Sequence, residues 1–295
     1  MTATHERQGI ERHGAAQLLR VPYQSTATGE ERDFLLYLPA GYDAEPDRRW
    51  PVLFFLHGGG ERGDGKGDLD YVLVHGPLTE AWLRQRELPF VIISPQLPLF
   101  DMRHQSVALA GTPRPVRLSA PLPPIPEDRP ARPMLRAADP TPALFGVTEA
   151  WGDEGFPGGW QNCQEDLIAI LDGVLAGYRA DPDRVCLTGL SYGGHGTWHM
   201  AATCPERWAA IAPFCGDANE AQMAVLAQRG LPIWMFHGGR DLVVKPEWAY
   251  DLVNALERAG HPSVRFTVHE DLGHDCWTRV YGGQDLYSWL LEQRR

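Results

Sequence analysis

The stretch TGLSYGG, residues 188–194, places a single serine between glycines where a predicted strand meets a predicted helix. The preceding DRVCL is short and apolar, which indicates a buried strand, and the following HGTWHMAATCPERW indicates a helix that ends near Pro205. A serine on so sharp a turn needs small residues at 189 and 193, because larger side chains would collide with the strand and the helix. A tight turn that merely contains a serine has the same pattern. The rest of the chain must therefore supply a base, an acid and an oxyanion hole.

The composition is that of an ordinary globular protein, with 295 residues, 43% of them hydrophobic and 22% charged. A formal net charge of -11 argues against nucleic acid and anionic membrane surfaces as partners. The five cysteines are scattered without a CxxC pair, so we expect neither a disulfide framework nor a zinc site. The N-terminus lacks the apolar core of a signal peptide, and no apolar run approaches the roughly 18 residues of a membrane span. We expect a cytoplasmic protein, as a monomer or a homo-oligomer.

Predicted strands and helices alternate along the chain. The strands are RDFLLYL, PVLFFL, PFVIIS, RVCLTG, AAIAPFCG, PIWMFH and VRFTVHE. The clearest helices between and after them are QEDLIAILDGVLAGY, KPEWAYDLVNALERAG and DLYSWLLEQ. This alternation is typical of βαβ units and predicts an α/β fold, with a mostly parallel, doubly wound sheet and helices on both faces.

One segment interrupts the alternation. Residues 100–160 are crowded with proline, as in RPVRLSAPLPPIPEDRPARP, and show no clean periodicity. Loops of this length inside a compact domain are usually functional lids or disordered segments. We therefore predict a single domain over residues 1–295, in which 100–160 is an insertion that forms either a lid or cap or an unstructured loop.

Three residues with the chemistry of a serine hydrolase each follow a predicted strand. They are Ser191, Asp241 and His274. In open parallel sheets, ligands bind at the carboxyl ends of the strands. A serine hydroxyl is a weak nucleophile and needs an imidazole to accept its proton, and a carboxylate must orient that imidazole. The chain order Ser, Asp, His is also the order that the α/β-hydrolase arrangement requires. The three residues are the predicted nucleophile, acid and base.

An oxyanion hole is predicted beside the serine. Gly58, Gly59 and Gly60 follow the apolar strand PVLFFL, and glycine lets backbone N–H groups converge without obstruction. We expect the N–H of Tyr192 and that of Gly59 or Gly60 to bind the oxyanion, and the sequence does not choose between the two glycines. A plain glycine turn is the other interpretation of the same residues.

Histidines elsewhere in the chain are weaker candidates for a site. His195 and His199 have a helical spacing that can chelate a metal, but no carboxylate ligand is evident nearby, so no metal is expected. His57 and His237 lie in glycine turns after strands, where we expect hydrogen bonds to the backbone. Trp160 and Trp277 are predicted walls of a substrate pocket, with ordinary core residues as the alternative.

Several motifs taken together resemble a known family. LPAGYD, WPVLFFLHGGGERG, DPDRVCLTGLSYGGHGTW, PIWMFHGGRDLVV and GHDCWTRVY are similar to single-domain bacterial carboxylesterases of the α/β-hydrolase fold. These are often labelled predicted peptidases or phospholipase/carboxylesterase-like proteins, and they are related to feruloyl esterases and polyester depolymerases. The resemblance covers residues 30–100 and 160–293, and it implies the same roles for Ser191, Asp241 and His274. The chain departs from the family at Tyr192, where methionine is usual, and in its long insertion.

The residues and the resemblance predict a serine hydrolase that cleaves short-chain or aryl carboxylic esters through an acyl-enzyme intermediate. Such an enzyme acts on a small-molecule ester and requires no cofactor. A serine peptidase related to prolyl oligopeptidases is one alternative, although the roughly 50 residues before PVLFFL are too few for the propeller domain of those enzymes. A non-catalytic hydrolase fold that binds a small molecule is another, although such proteins usually lack a triad residue.

Overall fold

The computed structural model describes residues 10–100, 159–262 and 264–295. Within this part of the chain one sheet has nine strands in the order β1-β2-β3-β5-β4-β6-β7-β8-β9. The strands are β1 Ile10–His13, β2 Ala16–Gln24, β3 Glu31–Leu38, β4 Trp50–Leu56, β5 Val91–Ser94, β6 Ala180–Leu190, β7 Ala210–Phe214, β8 Ile233–Gly238 and β9 Val264–His269.

The sheet changes character along its width. β1 to β3 pair antiparallel with one another, and β3 pairs antiparallel with β5. From β5 to β9 every pairing is parallel. The predicted βαβ pattern therefore applies only from β4 onward. The N-terminal strands β1 and β2 are not among the strands predicted from the sequence, and the sheet as a whole is mostly parallel, as predicted.

Helices cover both faces of the sheet. They are α1 Gln164–Gly177, α2 Tyr192–Thr203, α3 Glu220–Arg229, α4 Pro246–Arg258, α5 Trp277–Gly282 and α6 Asp285–Glu292. Apolar residues of α1 to α4 join one buried cluster, and those of α5 and α6 join a second. Two short helical turns, Leu69–Leu73 and Thr79–Leu83, pack into the second cluster.

The central strand β4 shows why its sequence is continuously apolar. Val52, Phe54 and Leu56 pack into the first cluster, while Leu53 and Phe55 pack into the second. Successive side chains on a strand point to opposite faces, so both sets are buried only when both faces are covered. All seven residues of β4 are buried.

Two sequence features can be compared with the described residues: membrane-spanning potential and the predicted insertion. No helix among them combines the length and the apolar character needed to cross a bilayer. The predicted insertion at 100–160 lies outside the described residues except at its ends, so its role as a lid or cap stays a prediction.

Candidate active site

Ser191 occupies the sharp turn between β6 and α2. Its backbone has φ 53° and ψ -115°, a combination that residues other than glycine rarely adopt because it strains the chain. The turn is held from both sides: the N–H of Ser191 donates to the carbonyl of Phe214 at 2.9 Å, and its own carbonyl accepts from His195 at 3.0 Å. The serine side chain is half-buried and lies at the carboxyl end of the parallel strands.

The glycines around Ser191 are required by contact with backbone. A Cβ on Gly189 would lie 2.2 Å from the carbonyl oxygen of Gly193, and one on Gly193 would lie 1.8 Å from that of Leu56. A Cβ on Gly194 would lie 2.3 Å from the carbonyl oxygen of Phe214. The predicted need for small residues at 189 and 193 is confirmed. The need at 194 arises from β7, which no local pattern in the sequence identifies.

The structure brings the three predicted residues into one hydrogen-bonded chain. The Oγ of Ser191 lies 2.9 Å from Nε2 of His274, and Nδ1 of His274 lies 2.7 Å from Oδ2 of Asp241. The other carboxylate oxygen of Asp241 accepts the N–H groups of Val243 and Val244 at 2.8 and 2.9 Å. Asp241 is only 3% exposed, so these donors replace the water that a carboxylate would otherwise bind.

The pKa values of Asp241 and His274 are shifted so that an ionised carboxylate lies beside the imidazole. Burial raises the pKa of Asp241, but hydrogen bonds from His237 and His274 outweigh it and hold that pKa well below its usual range. Burial also lowers the pKa of His274, and here bonding to Asp241 and its negative charge raise it above the ordinary value. Asp241 therefore stays ionised, and His274 is a stronger base than a free histidine.

The loop that carries His274 approaches the end of β8 closely. A Cβ on Gly238 would lie 1.9 Å from the carbonyl oxygen of Gly273, so glycine at 238 permits this approach. The thiol of Cys215 donates to the carbonyl oxygen of His274 at 3.3 Å, and its sulfur lies 3.4 Å from that of Cys276. Sequence analysis missed this contact, because Cys215 and Cys276 are distant in the chain and no motif links them.

The donor atoms near His274 fit a hydrogen-bond network better than a metal. Among the described residues, Cys215, Asp241 and His274 bring ligand-type atoms within 4.8 Å of one another. Burial, however, raises the pKa of the Cys215 thiol well above its ordinary value, and metals bind the thiolate. The remaining two side chains are already bonded to each other.

The helical pair His195 and His199 also has other partners. Nδ1 of His195 accepts the N–H of Asp217 at 2.9 Å, and Nε2 of His199 lies 2.8 Å from the side-chain oxygen of Gln164. Each ring is thereby turned toward a neighbour on a different element, and no shared metal position is formed by these contacts.

The predicted oxyanion loop lies against the start of α2. Gly59–Glu61 forms a short helical turn after β4, and a Cβ on Gly59 would lie 3.1 Å from Cδ2 of Tyr192. Tyr192 is the first residue of α2, and the positive end of a helix dipole favours negative charge there. Arg62 donates from Nε to the carbonyl oxygen of Gly59 at 2.8 Å, which fixes the direction of this loop. That the N–H of Gly59 or Gly60 binds the oxyanion stays a prediction.

Buried polar groups beside the predicted oxyanion loop hold it in place. Nδ1 of His57 donates to the Gly58 carbonyl at 2.6 Å, and its Nε2 accepts the N–H of Leu97 at 2.9 Å, which confirms the predicted backbone bonding. Glu61 lies 3.8 Å from His57 and 3.8 Å from Nε2 of His75. Burial raises the pKa of Glu61 to about 7. Sequence analysis missed Glu61, because nothing in the motif HGGGERG indicates that its carboxyl is buried.

The two predicted pocket tryptophans lie in different surroundings. Trp277 packs edge-on against the rings of His274 and His75, with distances between ring centroids of 5.0 and 5.8 Å. Trp160 is 1% exposed, and its indole N–H donates to the carbonyl oxygen of His57 at 3.1 Å. Trp160 therefore supports the end of β4, which leads into the predicted oxyanion loop. A pocket role for either residue stays a prediction.

Comparison with known proteins finds several to which this chain is similar. The model of the dienelactone hydrolase family matches residues 153–279. A thermostable esterase of known structure is 27% identical, with a TM-score of 0.64 over 94% of this chain and 63% of its own. A ferulic acid esterase from Anaeromyces mucronatus is 17% identical, with a TM-score of 0.57 over 99% of this chain and 93% of its own. An S-formylglutathione hydrolase from Agrobacterium tumefaciens is 14% identical, with a TM-score of 0.57 over 99% of this chain and 100% of its own.

These comparisons establish the fold and the kind of protein it resembles. The chain has the α/β-hydrolase fold, as predicted, and it is similar to esterases of that fold. It spans 63% of the length of the thermostable esterase. The activities in these names are those of the similar enzymes, and none of the matches assigns a substrate to this chain.

Proposed function

We propose that this α/β-hydrolase chain is a carboxylic-ester hydrolase with Ser191 as nucleophile, His274 as general base and Asp241 as orienting acid. The observation that carries the proposal is the continuous chain from Oγ of Ser191 through both nitrogens of His274 to Oδ2 of Asp241, with distances of 2.9 and 2.7 Å. An activated serine of this kind transfers acyl groups by way of a covalent intermediate.

Each step of the reaction uses an atom of this chain. Nε2 of His274 accepts the proton of Ser191 while Oγ attacks the ester carbonyl, and the imidazolium then returns the proton to the leaving alcohol. Water attacks the acyl-serine by the same route and releases the acid. Asp241 holds the proton on Nδ1 of His274 and stabilises the imidazolium without being protonated itself, because its own pKa is held low.

The tetrahedral intermediate carries a negative oxygen, and we assign its binding to the backbone N–H of Tyr192 and that of Gly59 or Gly60. The closeness of Gly59 to the Tyr192 ring supports this assignment: a Cβ added at Gly59 would lie 3.1 Å from Cδ2 of that ring, so the two segments meet beside Ser191. One such donor typically lowers the barrier by about 2.7–4 kcal/mol.

For the substrate we propose short-chain or aryl esters. The ring of Trp277 stands against His274, and Tyr192 adjoins Ser191, so aromatic surface lies beside the position of the reacting carbonyl. Flat aryl groups pack well against such surface. One of the similar structures is named a ferulic acid esterase, which agrees with this choice.

A fluorophosphonate probe tests the nucleophile without any assumption about the substrate. We expect stoichiometric labelling, located on Ser191 by peptide mass spectrometry, and none in Ser191→Ala. A matched control is His199→Gln, a change on the same helix in a residue bonded to Gln164, which should label like the wild type. Labelling at another residue, or full ester turnover by Ser191→Ala, would overturn the proposal.

A substrate panel then separates the remaining alternatives. We expect hydrolysis of p-nitrophenyl acetate and aryl esters, with little cleavage of proline-containing peptides. Peptide cleavage without esterase activity would favour the prolyl-oligopeptidase-like alternative. Tight binding of a small molecule by a chain that is never acylated would favour the non-catalytic alternative.

A further inference from the structure

A second histidine lies beside the carboxylate of Asp241. Nε2 of His237 is 3.3 Å from Oδ2 of Asp241, the same oxygen that faces Nδ1 of His274 at 2.7 Å. His237 is fully buried near the end of β8, and its Nε2 also lies 2.9 Å from the carbonyl oxygen of Val244. A carbonyl oxygen can only accept a hydrogen bond, so Nε2 of His237 carries the hydrogen.

We propose that His237 is a positioning residue, whose N–H holds the Asp241 carboxylate in place and shares its negative charge with His274. The inference rests on the proposed function, since it assigns a role within the same chain of residues. It concerns a histidine for which sequence analysis predicted backbone bonding alone. That bonding is present, and the contact with Asp241 is additional.

The two oxygens of Asp241 have different partners. Oδ1 accepts the backbone N–H groups of Val243 and Val244, which hold one edge of the carboxylate. Oδ2 lies between the two imidazoles of His274 and His237. A carboxylate with both oxygens occupied cannot rotate without losing a bond, and in a buried site each lost bond is costly. The orientation of His274 therefore depends on partners that do not touch it.

The sign of the electrostatic effect follows from this sharing. The N–H of His237 brings positive charge toward Oδ2 and is one cause of the low pKa of Asp241. Without that N–H, Oδ2 would present more negative charge to His274 and would stabilise its protonated form. The pKa of His274 is then expected to rise further above its ordinary value.

Other titratable groups near His237 come from neighbouring elements. Asp217, which follows β7, and His195, on α2, both interact electrostatically with His237. Asp251, on α4, interacts electrostatically with Asp217. Burial lowers the pKa of His195 to about 4, so it is neutral near pH 7. Within the described part of the chain, Nδ1 of His237 has no hydrogen-bond partner.

The test compares two substitutions with a matched control. His237→Leu removes the N–H, whereas His237→Gln can place an amide N–H near the position of Nε2. The control is His261→Leu, because His261 is also buried and its Nε2 also lies 2.9 Å from a backbone carbonyl, that of Leu231. The main readout is the pKa of His274 from an NMR titration of the full chain, which needs no substrate. The acid limb of kcat/KM for an aryl ester is the second.

We expect His237→Leu to raise the pKa of His274 by about 0.5–1 unit, and His237→Gln to return it toward the wild-type value. His261→Leu should lower stability and leave the pKa of His274 unchanged. An unchanged or lowered pKa in His237→Leu would overturn the inference, as would an equal rise in His261→Leu. If His237→Leu does not fold, His237→Asn replaces it, since its shorter amide reaches only the position of Nδ1. Failure of ester hydrolysis with a shifted His274 would overturn the proposed function and leave this inference standing.

Discussion

Gly193 lies so close to the carbonyl oxygen of Leu56 that a Cβ at 193 would come within 1.8 Å of it. Backbone meets backbone at this point, so neither side can yield by a rotamer change. The contact joins the first turn of α2 to the end of β4, which leads into the predicted oxyanion loop.

We expect Gly193→Ala to lower the free energy of unfolding by at least about 1–3 kcal/mol and to abolish fluorophosphonate labelling. Urea unfolding and labelling of the same sample measure both effects. Gly173→Ala is the matched control, because nothing lies within 4 Å of its added Cβ on α1. That change should raise stability by about 0.5–1 kcal/mol. Comparable stability in the two variants would show that the close approach to Leu56 is not rigid.

The strained backbone of Ser191 predicts an unusual order of stabilities. Alanine at 191 retains the unfavourable φ of 53°, whereas glycine adopts it freely. Strain of about 1–3 kcal/mol should outweigh the entropy that glycine loses on folding, about 0.5–1 kcal/mol. We expect Ser191→Gly to be more stable than Ser191→Ala in urea unfolding. An alanine variant of equal or greater stability would contradict the strain.

The hydrogen bond between Asp241 and His274 sets the pH dependence of the proposed activity. The carboxylate raises the pKa of His274, so wild-type activity should fall as the pH drops below that raised value. In Asp241→Asn the negative charge is gone, the imidazolium is less stable, and the acid limb of kcat/KM should move to lower pH. We also expect kcat to fall by about 10²–10⁴-fold, because the tautomer of His274 is no longer held.

Asp271→Asn is the control for that substitution. Asp271 precedes His274 on the same loop but bonds to Arg279 through both oxygens. It should retain the wild-type pH profile. An acid limb that stays in place in Asp241→Asn, or moves in Asp271→Asn, would separate the pH dependence from the Asp241 carboxylate.

Burial of Glu61 predicts a stability that depends on pH. Its pKa is about 7 in the folded protein, against an ordinary value of 4.5, so the folded state binds this proton more tightly. The resulting stabilisation is fully present below pH 4.5 and is lost as the pH rises through about 7. Over this interval the wild type should lose about 3 kcal/mol of unfolding free energy relative to Glu61→Gln. Urea unfolding at several pH values measures it.

Glu80→Gln provides the comparison for Glu61→Gln. Glu80 is also buried, but it pairs with Arg86 at 2.9 Å. Its substitution should lower stability and keep the wild-type dependence on pH, because Glu61 is unchanged. A flat profile in the wild type, or one that Glu61→Gln does not alter, would show that the Glu61 carboxyl is not the source.

The fold could be predicted where a local sequence pattern has a single structural explanation. Buried parallel strands are apolar throughout, so β4 and its neighbours were predictable from runs such as PVLFFL and PFVIIS. The pairing of β2 with β3 depends on contacts between segments, and its sequence AQLLRVPYQ carries no comparable pattern. Strand β2 was not predicted for that reason.

The candidate site likewise contains residues that the sequence predicts and residues that it does not. Ser191, Asp241 and His274 each follow a strand and have the required chemistry, so their meeting was predictable from topology. The partners that adjust them were not. His237 was expected to bond only to backbone, and Glu61 and Cys215 belong to no motif, because their roles arise from burial beside other segments. The lid at 100–160, the oxyanion glycine and the cytoplasmic location stay predictions.

The position of β9 at the edge of the sheet has a consequence for local unfolding. Among the described strands, β9 pairs only with β8. Its side chains are mostly half-buried, whereas Ser191 follows β6 in the middle of the sheet. The loop that carries His274 follows this edge strand. Opening of the edge is expected to cost less free energy than global unfolding, and it would part the base from the nucleophile. Backbone amides of 264–269 should therefore exchange with solvent sooner than those of 185–190. In mild urea the molecule should lose its reactivity while most of its sheet is still folded.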